Sequence, residues 1–402
     1  LKSRIFIILF FALACASLGQ GLVVPLLPGY AFSLGASGFL IGVIFGAFSL
    51  SRTLFQPVFG NWSDAIGRKP FIALGLFGSF IASLAYIYAK NAYALILIRF
   101  FQGAVSAMVI PVAQAYAGEI TPKGKEGARM GVLNLSMWIG LAGGPIIGGG
   151  IKDWLTIEAA FLSMGLVCFA GFLMSWGLLP QVDVERDLSP KRSRKRFGSL
   201  IKNPQIAAMF IFRLTHGMCI GIVWSFAPLI ADVIFKLSGF TIGMMITSGM
   251  VAGGLVMPVS GILADKVRKG FLIGLGGCVI AIGMLLLSNV DHVRDFYMAS
   301  ILLGIGGGIA LPPVMATTVL IGLDKSAMGA AMSLIATADS LGMMIGPILG
   351  GVAMDTLSRE AAFRGGSVLM TAVTVLLVVC FRKASHSEIG DECQVGRIKV
   401  MK

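Results

Sequence analysis

Polar residues in this chain come in short groups, and between them lie apolar runs of about 20 residues, the length that carries a helix across roughly 30 Å of hydrocarbon. Twelve such runs can be drawn, at 4–30, 38–60, 70–89, 92–116, 128–151, 158–179, 205–232, 240–262, 271–289, 295–321, 327–353 and 361–381. These are spans 1 to 12. The runs are continuous rather than alternating, which favours helices over a barrel. The pattern predicts an all-α membrane protein of twelve transmembrane helices. The first run is too long and too polar-punctuated for a signal peptide and has no small-residue cleavage site, so it is read as span 1.

Two signals return at half the chain length. Gly60-Asn-Trp-Ser-Asp64-Ala-Ile-Gly67-Arg68-Lys69, between spans 2 and 3, has a weaker copy 201 positions on, in Gly261-Ile-Leu-Ala-Asp265-Lys266-Val-Arg268-Lys269. In span 5, Gly140 precedes Gly143-Gly144-Pro145-Ile-Ile-Gly148-Gly149, which Gly346-Pro347-Ile-Leu-Gly350-Gly351 echoes in span 11 at an offset of 202. Pro25 and Pro28 in span 1 are loosely echoed by Pro228 in span 7. Such repeats predict two pseudo-symmetric six-helix bundles related by an axis along the membrane normal, with a solute site between them. Residues 1–180 then form the first bundle, 181–204 a polar linker, 205–381 the second bundle and 382–402 an unstructured tail.

Composition agrees, with 56% hydrophobic and 13% charged residues, where a soluble domain carries about 25% charged residues. The net charge of +13 would suggest nucleic acid in a soluble protein. Here most Lys and Arg fall in the loops on one side, including the linker, and only Arg52, Arg99 and Arg213 fall deep inside spans. The positive-inside rule puts that side and both termini in the cytoplasm, so the basic excess orients a multi-pass protein of the cell (inner) membrane and meets anionic lipid. Nucleic acid is not an expected partner. The six cysteines show no paired spacing, so neither disulfides nor a metal site is expected. No nucleotide loop, cofactor fingerprint or catalytic constellation is present, and Gly304-Ile-Gly-Gly-Gly308 lies within a span. An enzyme is not predicted.

The 60–69 string resembles the signature loop between helices 2 and 3 of the major facilitator superfamily, and the resemblance extends over the whole chain. It implies a loop that latches the halves together on the cytoplasmic side: Gly60 for close packing, Gly67 for the turn, and Arg68 and Lys69 to hold the loop inside. Asp64 would face helix 11, and Arg68 would pair with an acid at the inner end of helix 4, where Glu119 stands, with Arg129 following. Gly261 and Asp265 belong to the second copy. The segment with Gly140, Gly144, Pro145, Gly148 and Gly149, echoed by Gly346 and Pro347, resembles the helix-5 motif of proton-coupled exporters; generic kinks are the other reading. Arg99-Phe-Phe-Gln102-Gly103 matches a third family motif, whose arginine is assigned to proton transfer or to stabilising charge in the cavity. The group most similar in motifs is that of the tetracycline and multidrug exporters. The implied function is proton-coupled export of a small amphipathic solute by a monomer, without a cofactor. A uniporter or importer of an organic anion or sugar-like solute, and a non-transporting sensor, are the alternatives.

Ionisable groups at membrane depth are functional candidates because hydrocarbon makes them costly. Beside Arg99 these are Arg52, Arg213, His216 and Asp339. Asp339 and Arg213 are expected to pair, either as a permanent neutral unit or as a proton-coupling site; His216 is read as a packing residue or a relay. Among uncharged groups, Gln20, Gln56, Gln102, Gln114 and Trp224 are cavity candidates together with Arg52. Many exporters of the family carry an acid in helix 1 or early in helix 4, and this chain has none there. Three arginines against one aspartate leave a positive cavity, which weighs against cations and toward anionic or neutral amphipathic solutes.

Overall fold

The computed structural model describes residues 2–122, 126–180, 203–324 and 328–400. Among them are twelve long helices, each holding a stretch long and apolar enough to cross a membrane. They are α1 (Lys2–Val23), α2 (Gly38–Ile66), α3 (Arg68–Ile87), α4 (Ala92–Ile120), α5 (Glu126–Trp154), α6 (Ile157–Leu178), α7 (Pro204–Val233), α8 (Gly239–Lys266), α9 (Lys269–Leu287), α10 (Val293–Asp324), α11 (Met328–Thr356) and α12 (Ala361–Val400). The linker at 181–204 falls almost wholly outside the described residues.

Local chemistry sets five of the helix starts. The side chains of Ser37, Asn91, Thr156, Asn203 and Ser238 each accept a hydrogen bond from a backbone N–H in the first turn of α2, α4, α6, α7 and α8, satisfying donors that the helix itself leaves unpaired. Pro204 adds a fixed φ at the first position of α7. Between α2 and α3 the whole turn is one residue, Gly67, at φ 108°. A side chain there would be strained, which is why glycine occupies it.

Three details differ from the sequence reading. Span 1 is broken: α1 ends at Val23, and a short helix, Leu27–Ser33, follows, because Pro25 has no N–H to continue the ladder and disfavours helix in the residue before it. Helices also outrun their apolar runs at the basic end, α2 to Ile66 and α8 to Lys266; hydropathy marks where lipid ends, not where helix ends. The tail expected to be unstructured continues α12 to Val400, and no proline follows Ala361 to stop it.

Helices α1–α6 and α7–α12 form two bundles with matching contacts. The pairs α1·α5, α2·α4 and α3·α6 of the first recur as α7·α11, α8·α10 and α9·α12 of the second. Prolines recur too, with Pro57, Pro111 and Pro145 inside α2, α4 and α5 matched by Pro258, Pro313 and Pro347 inside α8, α10 and α11. The bundles meet along two related crossings, α2 on α11 and α5 on α8. In the half of the molecule away from the basic loops, the crossings are lined by glycine: Gly38 and Gly42 lie against the backbone of Gly351 and Pro347, and Gly239 and Gly243 against that of Gly149 and Pro145. Toward the basic face, Gly60, Gly131 and Gly261 have no neighbour within 4 Å of where a Cβ would sit.

The helix-5 motif has a second role inside each bundle. Gly140, Gly144 and Gly148 form a stripe against the backbone of α1, and Gly342, Gly346 and Gly350 form its counterpart against α7. A Cβ on Gly144 would stand 2.6 Å from the backbone of Gly21, where neither chain can give. Gly144→Ala therefore destabilises the protein by about 1–3 kcal/mol, as overpacking does, although alanine is the better helix former by up to about 1 kcal/mol. Gly60→Ala, in open space, leaves stability unchanged or raised. Thermal unfolding of the purified variants checks the contrast; equal shifts would contradict it.

Candidate functional site: a buried cavity closed at one face

Beside the crossings lies a cavity of about 310 Å³ walled mainly by apolar groups, among them Trp138 of α5 and Trp224 of α7. Its charged wall is Arg213 and His216 of α7 and Asp339 of α11. Nη2 of Arg213 lies 3.2 Å from Oδ2 of Asp339, and its Nη1 lies 3.1 Å from Nδ1 of His216. Guanidinium only donates, so Nδ1 of His216 accepts and the ring carries its proton on Nε2. Gly307 of α10 makes room beside that nitrogen. Arg52 of α2, in the other bundle, is near enough for its charge to bear on Asp339 but forms no ion pair with it.

Arg99 is organised differently. It is 4% exposed, its Nη1 donates to Oε1 of Gln102 at 3.0 Å, and the Tyr86 hydroxyl donates to the same oxygen at 2.8 Å. The rings of Phe45 and Phe48 lie 4.8 and 5.1 Å from its guanidinium carbon. Gln102, expected in the cavity wall, instead lies buried behind Arg99 and orients it. Gln20 donates to Ser106 at 2.8 Å and, with Arg99 and Trp224, lines a smaller cavity of about 40 Å³. Gln114 donates to Asn134 at 3.2 Å on an exposed surface. Arg52 and Gln56 are half-buried on α2 and line neither cavity.

On the basic face Arg68 is a hub. It pairs with Asp64, with Glu119 at 2.7 Å and with Ser63 at 2.6 Å. Asp64, half-exposed, therefore has a partner in its own loop. Arg129 lies over the ring of Phe6 instead of joining Glu119. Lys69 begins α3 beside this hub, while Asp265 in the second copy is exposed.

The opposite face carries a pair of contacts that the sequence reading missed. The carboxylate of Asp355, at the end of α11, accepts the backbone N–H groups of Gly38 and Phe39 at 2.8 Å each. That of Asp153, at the end of α5, accepts those of Gly239 and Phe240 at 2.8 and 2.7 Å. Each is an anion on the positive end of a helix in the other bundle. Lys152 adds an ion pair to Asp232 of α7 at 3.0 Å. A signal was available: Ser37-Gly-Phe-Leu-Ile-Gly42 and Ser238-Gly-Phe-Thr-Ile-Gly243 are near-identical, and an aspartate follows each helical proline, Pro145 and Pro347, by eight residues.

A cavity walled mainly by the second of two matched bundles and completed by Trp138 and Leu141 of the first, with symmetric contacts at one face, agrees with the sequence comparison. The model of the Major Facilitator Superfamily matches residues 9–322 and 209–392. The chain belongs to this superfamily. Among relatives of the superfamily, an uncharacterized MFS-type transporter of Methanocaldococcus jannaschii is 29% identical over 89% of this chain and 93% of its own. Multidrug resistance protein 1 of Bacillus subtilis is 24% identical over 94% and 96%. The fold is that of a bacterial homolog of the human lysosomal transporter Spinster, solved in an inward-facing, unoccupied conformation (TM-score 0.77, 14% identity, 97% of this chain and 98% of that one). The protein is thus a multi-pass membrane transporter of a small molecule.

Within the superfamily fold, the Asp153 and Asp355 contacts hold one face of the transporter shut. An acid on a helix N-terminus contributes about 1 kcal/mol, so removing both charges releases about 2 kcal/mol, close to 30-fold in the open-to-closed ratio. In Asp153→Asn/Asp355→Asn, a cysteine placed at Ser49 in the small cavity is expected to react faster, toward that factor, with an impermeant maleimide added from the clasped face. An unchanged rate would mean the carboxylates do not hold the face.

Proposed function

We propose that the protein is a secondary active transporter that exports a small amphipathic solute in exchange for protons, by alternating access. The observation that carries this is the position of Asp339 in the cavity wall, 3.2 Å from Arg213 of its own bundle, on the helix that crosses α2 of the other, which carries Arg52. When the bundles rotate about the crossings, the distance from Asp339 to Arg52 changes while that to Arg213 need not. The free energy of its charged form then depends on which face is open. A proton taken at one face and released at the other is what couples solute movement to a gradient.

In this reading residues 1–180 and 205–381 move as the two bodies, joined by the linker at 181–204. The protein acts as a monomer in the cell membrane, with both termini and the basic face in the cytoplasm, where Lys and Arg loops remain during insertion. The conformation described is then open to the cytoplasm. Gly60 and Gly261, in open space here, are the positions at which helices close up when the basic face shuts, with Asp64 exchanging Arg68 for the end of α11. Relatives named as multidrug resistance proteins support outward transport of an amphipathic solute.

Flux in proteoliposomes with and without an imposed pH gradient tests the coupling. Asp339→Asn is expected to abolish pH-driven uphill transport while leaving downhill exchange measurable. If Asp339 served only to neutralise Arg213, the variant would instead strand a buried cation at a cost of about 3–5 kcal/mol and lose expression, and Arg213→Gln/Asp339→Asn would restore both expression and coupling. Full pH-driven transport in a well-folded Asp339→Asn protein overturns the coupling role.

A further inference from the structure

The charges at membrane depth do not balance among the described residues. Arg52, Arg99 and Arg213 stand against Asp339 alone, and Asp339 is paired with Arg213. Arg99 has no acid partner. Its neighbours are neutral: one amide oxygen, which also accepts from Tyr86, and the faces of two phenylalanines. Its Nε is buried with no hydrogen-bond partner at all. A guanidinium away from water calls for a counter-charge, and planar two-oxygen anions match its fork of donors.

The place for that counter-charge is beside it. Arg99 lines the 40 Å³ cavity with Gln20 and Ser49, room enough for a carboxylate, since about 10–15 Å³ of such space already holds a water molecule. Leu141, Trp224 and Met343 line both this cavity and the large one, so the two adjoin. A molecule with an apolar body in the large cavity reaches Arg99 with its end. A cation in the same pose would face Arg99, which has no acid partner, and no free acid.

We infer that the transported solute is an amphipathic organic anion whose carboxylate, or an equivalent anionic group, is received by Arg99 across the bundle interface. This rests on the reading of the cavity as the solute site, but not on export or proton coupling. The same chemistry could be met by an inorganic anion such as chloride, so the test separates the two.

Binding of naphthalene-1-acetate, naphthalene-1-acetamide and 2-(1-naphthyl)ethylammonium to the purified protein is measured by calorimetry at neutral pH, in gluconate and in chloride. The acid is expected to bind at least about 10-fold more tightly than the amide, the factor that one charge-assisted hydrogen bond supplies, and the ammonium more weakly than either. Arg99→Gln should bring the acid down to the level of the amide measured in the same variant, and Arg99→Lys should keep a preference for the acid. Equal binding of acid and amide by the unaltered protein, tightest binding of the ammonium, or no binding of the acid at millimolar concentration overturns the inference without recourse to a variant. So does a preference that survives in Arg99→Gln. Arg99-dependent stabilisation by chloride with no preference for the acid would assign the site to an inorganic ion and likewise overturn it. Loss of pH-driven flux with this binding pattern intact would count against export alone.

Discussion

Two helices reach backbone contact only where neither carries a side chain, and that constraint governs this molecule. At α2 on α11 and α5 on α8, glycines face the carbonyls of Pro347 and Pro145 and the backbone of Gly351 and Gly149. The close approach brings the ends of α5 and α11 within reach of the opposing helix starts, so that Asp153 and Asp355 can each take two backbone N–H groups. Bulkier residues at Gly38 or Gly239 would displace the very carboxylates that hold the face. Close packing and electrostatic clasp are one device, present twice by symmetry. Dispersion and hydrogen bonding drive such contacts in a bilayer, because lipid removes the hydrophobic difference between helix faces.

The second constraint is the cost of charge in hydrocarbon. It explains the pairing of Asp339 with Arg213, and it explains why Gln102 and Tyr86 lie behind Arg99 rather than in the cavity. The bundles are joined by glycine surfaces and helix-end hydrogen bonds.

Much of this was legible in the sequence. Twelve spans, two bundles and the existence of a repeat follow from run length and from the returns of Gly60 at Gly261 and of Gly144 at Gly346. The Arg213–Asp339 pair was legible as well, because a membrane offers Asp339 few cations, and the Arg68–Glu119 pair was implied by the family resemblance. The clasp was not, since Asp153 and Asp355 look like ordinary loop charges until the helices are placed. Nor was Trp138 as a cavity wall: on helices apolar all round, periodicity does not say which face meets the other bundle. Polar residues betray their surroundings only by partner, which is how Gln102 and Gln114 were misplaced toward the cavity.

The claim on which the account turns is that the two faces open and close in opposition. Double electron–electron resonance in nanodiscs, with one label pair across the clasped face at Ser33 and Lys236 and another across the basic face at Ala65 and Lys266, reads both gaps in the same preparation. Across pH, with and without solute, the two distance distributions should shift in opposite senses, the basic-face pair shortening as the clasped-face pair lengthens. Shifts in the same sense, or a basic-face distance that stays fixed while the clasped face opens, would contradict it.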